Sequence, residues 1–197
     1  MPLLQTFGNA AARAYGFTRA SASGAGAMEL ISTQILASTA TTVTFSSIPQ
    51  TYKHLQLRMT ARDADSVNTN IQNVLLRING ITNTYMSHLL FGTGSSVIST
   101  AYSGEPGIRV GVLPDNGTGV NIYSATLVDI LDYTASTKNP VVRSFSGATT
   151  GASQYVALQS GLLTTAGAIT SLSIYNTATN AQLFYAGSRF SLYGVLG

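Results

Sequence analysis

The stretch that decides the fold is KHLQLRMTAR, Lys53 to Arg62. Apolar and polar residues alternate along it without a break. The apolar set is Leu55, Leu57, Met59 and Ala61, and the polar set is His54, Gln56, Arg58, Thr60 and Arg62. Because successive side chains on a strand point to opposite faces, the pattern predicts a half-buried antiparallel strand.

The same alternation recurs on both sides of this strand, in TTVTFSSI (41–48) and NVLLRING (73–80). The residues predicted to face inward there are Val43, Phe45, Val74, Leu76 and Ile78. Asn79-Gly80 closes the second segment with a strong hairpin-type turn signal.

Further strands are predicted between Gly- and Asn-rich turns. They lie at 85–91, 108–113, 121–133, 141–146, 155–163, 169–175, 182–185 and 189–196. Good helix formers are scarce, and the strands do not alternate with helices. About ten short strands of this kind predict an all-β fold, an antiparallel β-sandwich that is jelly-roll-like, with an extended N-terminal arm.

The composition favours a protein that lies within an assembly. The chain has 197 residues, enough for one domain, and 45% of them are hydrophobic. Only 9% are charged, against about 25% in an ordinary soluble domain. So few charges predict a surface that is neutral-polar or covered by other subunits. A homo-trimer is the expected closed oligomer.

The distribution of charge and hydropathy excludes several partners. The net charge of +3 comes from scattered basic residues, of which only Arg58 and Arg62 lie close together on one strand face. Without a basic stripe we expect no nucleic-acid partner. No apolar run approaches the roughly 18–20 residues of a membrane span, so we expect no membrane insertion. The chain has no cysteine and therefore no disulfide or thiolate zinc site.

Catalytic and metal-binding patterns are weak. Asp129 and Asp132 in LVDILDY are the obvious carboxylate pair, but a spacing of three places them on opposite faces of a strand. We expect one to be exposed and the other to cap a turn or pair with an arginine. Asp63 and Asp65 could line a calcium loop but lack the EF-hand spacing. The sequence therefore predicts no catalytic residue, no metal and no cofactor.

Aromatic residues are the more informative candidates for binding. The chain has ten tyrosines, several of them near strand ends or loops. Tyrosine joins a large apolar face to a polar tip, which suits protein interfaces and sugar stacking. The predicted surface-recognition residues are Tyr85, Tyr102, Tyr123 and Tyr155. The alternative is that such tyrosines form the rim of the sandwich core.

The opening segment FGNAAARAYGFT, Phe7 to Thr18, differs from the rest of the chain. Its order of apolar and basic residues is wrong for a secretory signal, and a transit peptide stays an open alternative. The domain prediction is an anchoring arm with its tether at 1–27 and the sandwich at 28–197. The predicted anchor residues are Phe7, Arg13, Tyr15 and Phe17. We expect residues 1–18 to become ordered only in the assembly.

The strand segments also carry a resemblance. The stretch from Leu30 to Arg62, together with VLLRING, LVDILDY and the C-terminal FSLYGVLG, resembles a family of tailed-bacteriophage virion structural proteins. The opening segment is similar to leaders of phage tail and fibre-like proteins. The resemblance covers most of residues 28–197, and its motifs are loose strand patterns.

The resemblance implies a non-enzymatic building block located in the virion, a trimeric β-sandwich with an N-terminal anchor. We expect a tail-fibre or baseplate-associated component that contacts other virion proteins and a host-surface glycan or protein. A capsid decoration (cement) protein is the closest alternative. A carbohydrate-binding module or depolymerase domain is the third.

Overall fold

The chain is all-β in the computed structural model, which describes residues 27–64, 71–114, 121–150, 153–176 and 184–197. None of these residues is helical. The strands within these ranges are β1 (Met28–Ile35), β2 (Thr42–Phe45), β3 (His54–Ala61), β4 (Ile71–Ile78), β5 (Tyr85–Gly92), β6 (Val97–Glu105), β7 (Ile108–Pro114), β8 (Ser124–Leu131), β9 (Val141–Thr149), β10 (Gln154–Leu163), β11 (Leu172–Asn176) and β12 (Arg189–Val195).

The strands form two antiparallel sheets that pack as a sandwich, as predicted. The eight-stranded sheet has the order β1-β12-β3-β8-β9-β10-β5-β6, and the four-stranded sheet has the order β2-β11-β4-β7. The main core lies between them, and a smaller cluster of Leu89, Val112, Ala148 and Ala157 lies beside it. β7, at the edge of the smaller sheet, packs over β8, β9, β10 and β5.

The strand order is that of a jelly roll with two added hairpins. β1 pairs with β12, β2 with β11, β3 with β8 and β4 with β7, each antiparallel. This nested pairing is that of one long antiparallel ribbon rolled into two sheets, which is the jelly-roll arrangement. The hairpins β5–β6 and β9–β10 extend the larger sheet beyond β8. The predicted jelly-roll-like fold is confirmed.

β3 lies where its alternating sequence predicts. It is hydrogen-bonded to β12 on one side and β8 on the other. Leu55, Leu57 and Met59 are at most 3% exposed. Burying each such side chain contributes roughly 1.5–3 kcal/mol. Arg62 differs from its prediction: β3 ends at Ala61, and Arg62 is buried with its guanidinium 4.7 Å from the Tyr185 ring centre.

The Asn79-Gly80 turn forms as predicted, but it does not close a hairpin between neighbouring strands of one sheet. Both residues have positive φ, +50° and +72°, and the Ile81 N–H donates to the Ile78 carbonyl at 3.0 Å. These are the features of a type I′ turn. The chain then crosses to the other sheet, so β5 does not pair with β4. The turn is a sheet-to-sheet corner.

The pattern missed two strands, β1 and β6, which are the two edges of the eight-stranded sheet. The predicted arm at 1–27 lies outside the described residues apart from Ala27, and so do the anchor residues Phe7, Arg13, Tyr15 and Phe17.

Candidate functional site

The outward side of β8, β9, β10 and β5 is unusually apolar. The inward side chains of these strands pack under β7, and polar residues would be expected on the opposite side. Large apolar side chains are found there instead, and each is between 37% and 55% exposed. They are Met86, Leu90, Leu127, Leu131, Val141, Phe145, Val156 and Leu158. We call this surface the apolar outer face.

The register of the sheet aligns seven of these residues, together with the half-buried Leu162, in two cross-strand rows. One row runs Leu127, Phe145, Leu158 and Leu90 across β8, β9, β10 and β5. The other row runs Leu131, Val141, Leu162 and Met86 across the same strands. Directly opposed apolar residues on a sheet face contact one another, so each row is a continuous apolar ridge.

A polar row separates the two ridges, and three of its four side chains are ion-paired or hydrogen-bonded within the chain. It runs Asp129, Arg143, Ser160 and His88. Arg143 Nε lies 3.2 Å from Asp129 Oδ2, and Gln56 donates to the other oxygen of Asp129 at 2.9 Å. His88 Nε2 lies 3.1 Å from the Ser99 hydroxyl. Since the two charges are paired, the surface presents little net charge to a partner.

The apolar outer face is concave at its β6 side. An open depression of about 570 Å³ lies across β6, β5, β10 and β9. Its lining includes Met86, His88, Ala101, Val141 and Leu162. The depression thus brings part of one apolar ridge and part of the polar row into one hollow, which is a shape that a projecting side chain could fill.

The carboxylates three residues apart serve separate ion pairs. Asp129 pairs with Arg143, so the predicted pairing with an arginine is confirmed. Asp132 follows β8 at φ +47°, where Lys138 donates to it at 3.1 Å and Lys53 Nζ lies at 3.6 Å. The Lys138 ammonium holds the pKa of Asp132 below its usual value, and Lys53 and His54 act in the same direction.

Tyr85 is not a surface residue, and its predicted recognition role is wrong. The side chain is fully buried. Its hydroxyl accepts the Ile78 N–H at 2.8 Å and donates to the Ile81 carbonyl at 3.0 Å. Burial raises the pKa of this hydroxyl above its usual value. Tyr85 therefore secures the Asn79-Gly80 corner from inside the core.

The other three predicted tyrosines are half-buried and already in contact with neighbours. The Arg109 guanidinium lies 3.8 Å from the Tyr102 ring centre, and Arg109 also pairs with Glu105 at 3.0 Å. Tyr155 stacks on Phe91 with ring centres 5.4 Å apart. The Tyr123 hydroxyl donates to the Ala186 carbonyl at 3.1 Å. Tyr102 and Tyr155 both pack against the cluster of Leu89, Val112, Ala148 and Ala157, and Tyr123 is not part of that group.

Arginine over tyrosine is a repeated arrangement. The guanidinium carbon lies 3.8–4.8 Å from the ring centre in four pairs: Arg58–Tyr193, Arg62–Tyr185, Arg77–Tyr175 and Arg109–Tyr102. Each pair covers one aromatic face with a cation of the same chain. These arginines are thereby used in intramolecular packing.

The apolar outer face was missed by the sequence analysis, although a signal was present. In YMSHLLFG of β5 and YVALQSGLL of β10, apolar residues occupy both alternating sets. The prediction assigned only the inward-facing apolar set of each strand and left the outward-facing apolar set without a role. Two apolar sets on one strand indicate a strand covered on both faces.

Within the described ranges, no three His, Asp or Glu side chains come together as metal ligands. No helix in that part of the chain could cross a membrane. Comparison of the sequence with protein families and curated proteins, and of the fold with solved structures, finds no match.

Proposed function

We propose that this protein is a non-enzymatic structural subunit of a larger particle, held in place through the apolar outer face. The observation that carries the proposal is that face, with eight large apolar side chains between 37% and 55% exposed on adjacent strands. An exposed apolar surface of this extent often marks an interaction site in soluble proteins, here with a polar row between its two ridges.

The extent of the face suits a subunit interface. Four strands about 4.8 Å apart and about seven residues long, at about 3.3 Å per residue, span roughly 450 Å² in projection. This area equals that of the largest apolar patch on a typical monomer, about 300–600 Å², and such a patch is often functional. Phe145 and Leu158 stand above the sheet at 55% and 53% exposure, so the accessible area exceeds the projection. A stable interface covers about 800 Å² on each partner, so an interface centred on the face would extend beyond it onto neighbouring strands.

The charged groups support a structural role over a catalytic one. Asp129, Asp132 and Glu105 each lie in an ion pair with a basic side chain of the same chain. A glycosidase of the depolymerase class would need two carboxyl groups facing one another across about 5–10 Å of open cleft. The contacts of Arg109 with Tyr102 and of Phe91 with Tyr155 each cover one ring face and likewise weaken the proposal of a sugar-stacking module.

We further propose that the particle is the virion of a tailed bacteriophage and that the protein is a trimeric tail-fibre or baseplate component with an N-terminal anchor. The resemblance of the strand segments supports this, and so does the jelly-roll architecture, which viral capsid proteins and lectins share. A decoration protein on the head shell is the alternative, since it would use the same fold and the same apolar outer face.

The double substitution Phe145→Glu/Leu158→Glu tests the proposal. The two residues oppose one another on β9 and β10, and about half of each side chain is already in water, so the fold is expected to remain. Burying unpaired carboxylates in an apolar interface costs about 3 kcal/mol or more, a factor of roughly a hundred in affinity. We expect light scattering to show loss of the assembled species while circular dichroism stays unchanged.

Thr42→Glu is the matched control, because Thr42 is exposed on the four-stranded sheet, away from the face. It should assemble like the wild type. Unchanged assembly of the double variant would contradict the role of the apolar outer face.

A further inference from the structure

Strand β6 presents an open hydrogen-bonding edge. It is the last strand of the eight-stranded sheet and pairs with β5 on one side. Among the residues that the structure describes, no strand pairs with its other side. Val97 is 73% exposed and Ile98 48%. A row of unpaired N–H and C=O groups on such an edge is a template for another strand.

The other sheet edges carry features that natural proteins use to prevent pairing. β1 has a bulge between Leu30 and Ser32 and contains Glu29. β2 is only four residues long. β7 contains Arg109, ends at Pro114 and has an irregular register opposite β4. Bulges, short length, charges and prolines all make an edge a poor template.

β6 lacks these features over most of its length. The stretch from Val97 to Ser103 pairs with β5 without irregularity, and the bulge comes only afterwards, near Glu105. The stretch contains no charged residue and no proline. It is therefore long and regular enough to accept a further strand along about seven residues.

We propose that β6 pairs with β6 of a second copy of this chain, antiparallel about a two-fold axis, so that two eight-stranded sheets become one. Antiparallel pairing of a strand with its own copy is self-complementary, because each copy offers the same groups to the other. About seven inter-strand hydrogen bonds would form. Since Ala101 lines the depression at the β6 side of the apolar outer face, the pairing also brings two such faces side by side.

The contact is separate from the packing of the apolar outer face. The β6 pairing joins two copies, whereas the trimer of the proposed function joins three copies through a different contact. A two-fold and a three-fold contact together give a dihedral assembly of six copies. Loss of the β6 contact alone therefore halves the number of copies in the assembly.

A charge-swap experiment tests the pairing. In an antiparallel pair centred near Thr100, Ser99 of one copy faces Ala101 of the other, and both side chains are exposed. Ser99→Lys/Ala101→Lys places like charges directly opposite one another across the new pair. We expect its mass by sedimentation to be half that of the wild type at the same micromolar concentration. The Ser99→Glu/Ala101→Glu variant should behave alike, and an equal mixture of the two should restore the wild-type mass.

Thr60→Lys is the control for added charge, because Thr60 is exposed on β3 in the interior of the same sheet. It should keep the wild-type mass. A wild type that is monomeric at micromolar concentration, or lysine variants that assemble as it does, would overturn the proposal.

A cysteine scan provides a second readout, since the chain has no cysteine of its own. Single cysteines are placed at 98 to 102 and oxidised. In a two-fold antiparallel pair only the residue at the centre meets its own copy, so one position should cross-link and its neighbours should not. Cross-linking at every position or at none contradicts the pairing. The Phe145→Glu/Leu158→Glu variant leaves β6 intact and should still cross-link, so failure of the two proposals can be told apart.

Discussion

At the scale of single residues, the position on a strand matters more than the residue type. A tyrosine beside a turn suggested a surface role for Tyr85, yet it takes an inward position of β5 and is fully buried. The buried hydroxyl is accommodated because it finds the Ile78 N–H and the Ile81 carbonyl. A buried phenol of this kind needs partners, and the corner supplies them.

Tyr85→Phe measures this contribution. The substitution keeps the ring but leaves the buried Ile78 N–H without its 2.8 Å acceptor. We expect the free energy of unfolding to fall by about 1–3 kcal/mol, measured by urea denaturation. Tyr175→Phe is the control, because the Tyr175 hydroxyl donates to the Pro106 carbonyl at an exposed site. Its loss should be smaller, and equal losses would contradict the special role of the buried hydroxyl.

At the scale of elements, the interior strands and both edges of the four-stranded sheet were predictable, whereas the two edges of the eight-stranded sheet were not. β3, β4 and β12 each have a neighbour on both sides and a core on one face. Burial alternates cleanly along β3, and β4 and β12 keep the alternating inward set although Leu75 and Ser191 are buried as well. β6 is exposed along most of both faces, so its sequence VISTAYSGE carries no strong period. β1, the other edge, has an irregular exposure pattern for the same reason. The period that reveals a strand is produced by burial.

The contact between β10 and β7 depends on one glycine. A Cβ on Gly161 would lie 2.1 Å from Ile108 Cγ2, and Ile108 is fully buried, so there is no space for it to move. Gly161→Ala should lower the free energy of unfolding by about 1–3 kcal/mol through overpacking. Thermal and urea unfolding provide the measurement.

Gly147→Ala on β9 is the matched control, because the nearest atom to its added Cβ is 3.9 Å away. It should be neutral or stabilise slightly, by up to about 1 kcal/mol, through the less flexible unfolded chain. If Gly161→Ala were equally harmless, the close contact of the two sheets there would be wrong.

At the scale of the whole molecule, the nested strand order depends on pairing between strands far apart in sequence, which no local sequence pattern indicates. β1 and β12 pair although almost the entire chain separates them, in a register that joins Met28 to Val195. Alternation predicted strands and a sandwich, but the choice of partners depends on which strands bury which faces together. The apolar outer face belongs to the same scale, since four strands produce it only once they are adjacent.

Incorporation into a particle is the decisive test for the molecule as a whole. We expect an antibody against the chain to label purified phage particles at the tail, and electron microscopy of immunogold-labelled particles gives the position. Label on the icosahedral head would favour the decoration role, and unlabelled particles would contradict a virion protein.

A chain lacking residues 1–18 should keep the circular dichroism of the sandwich, because the described strands begin at Met28. It should nevertheless fail to enter particles, since Phe7, Arg13, Tyr15 and Phe17 are the proposed anchor; normal incorporation would contradict the anchor while leaving the apolar outer face untouched.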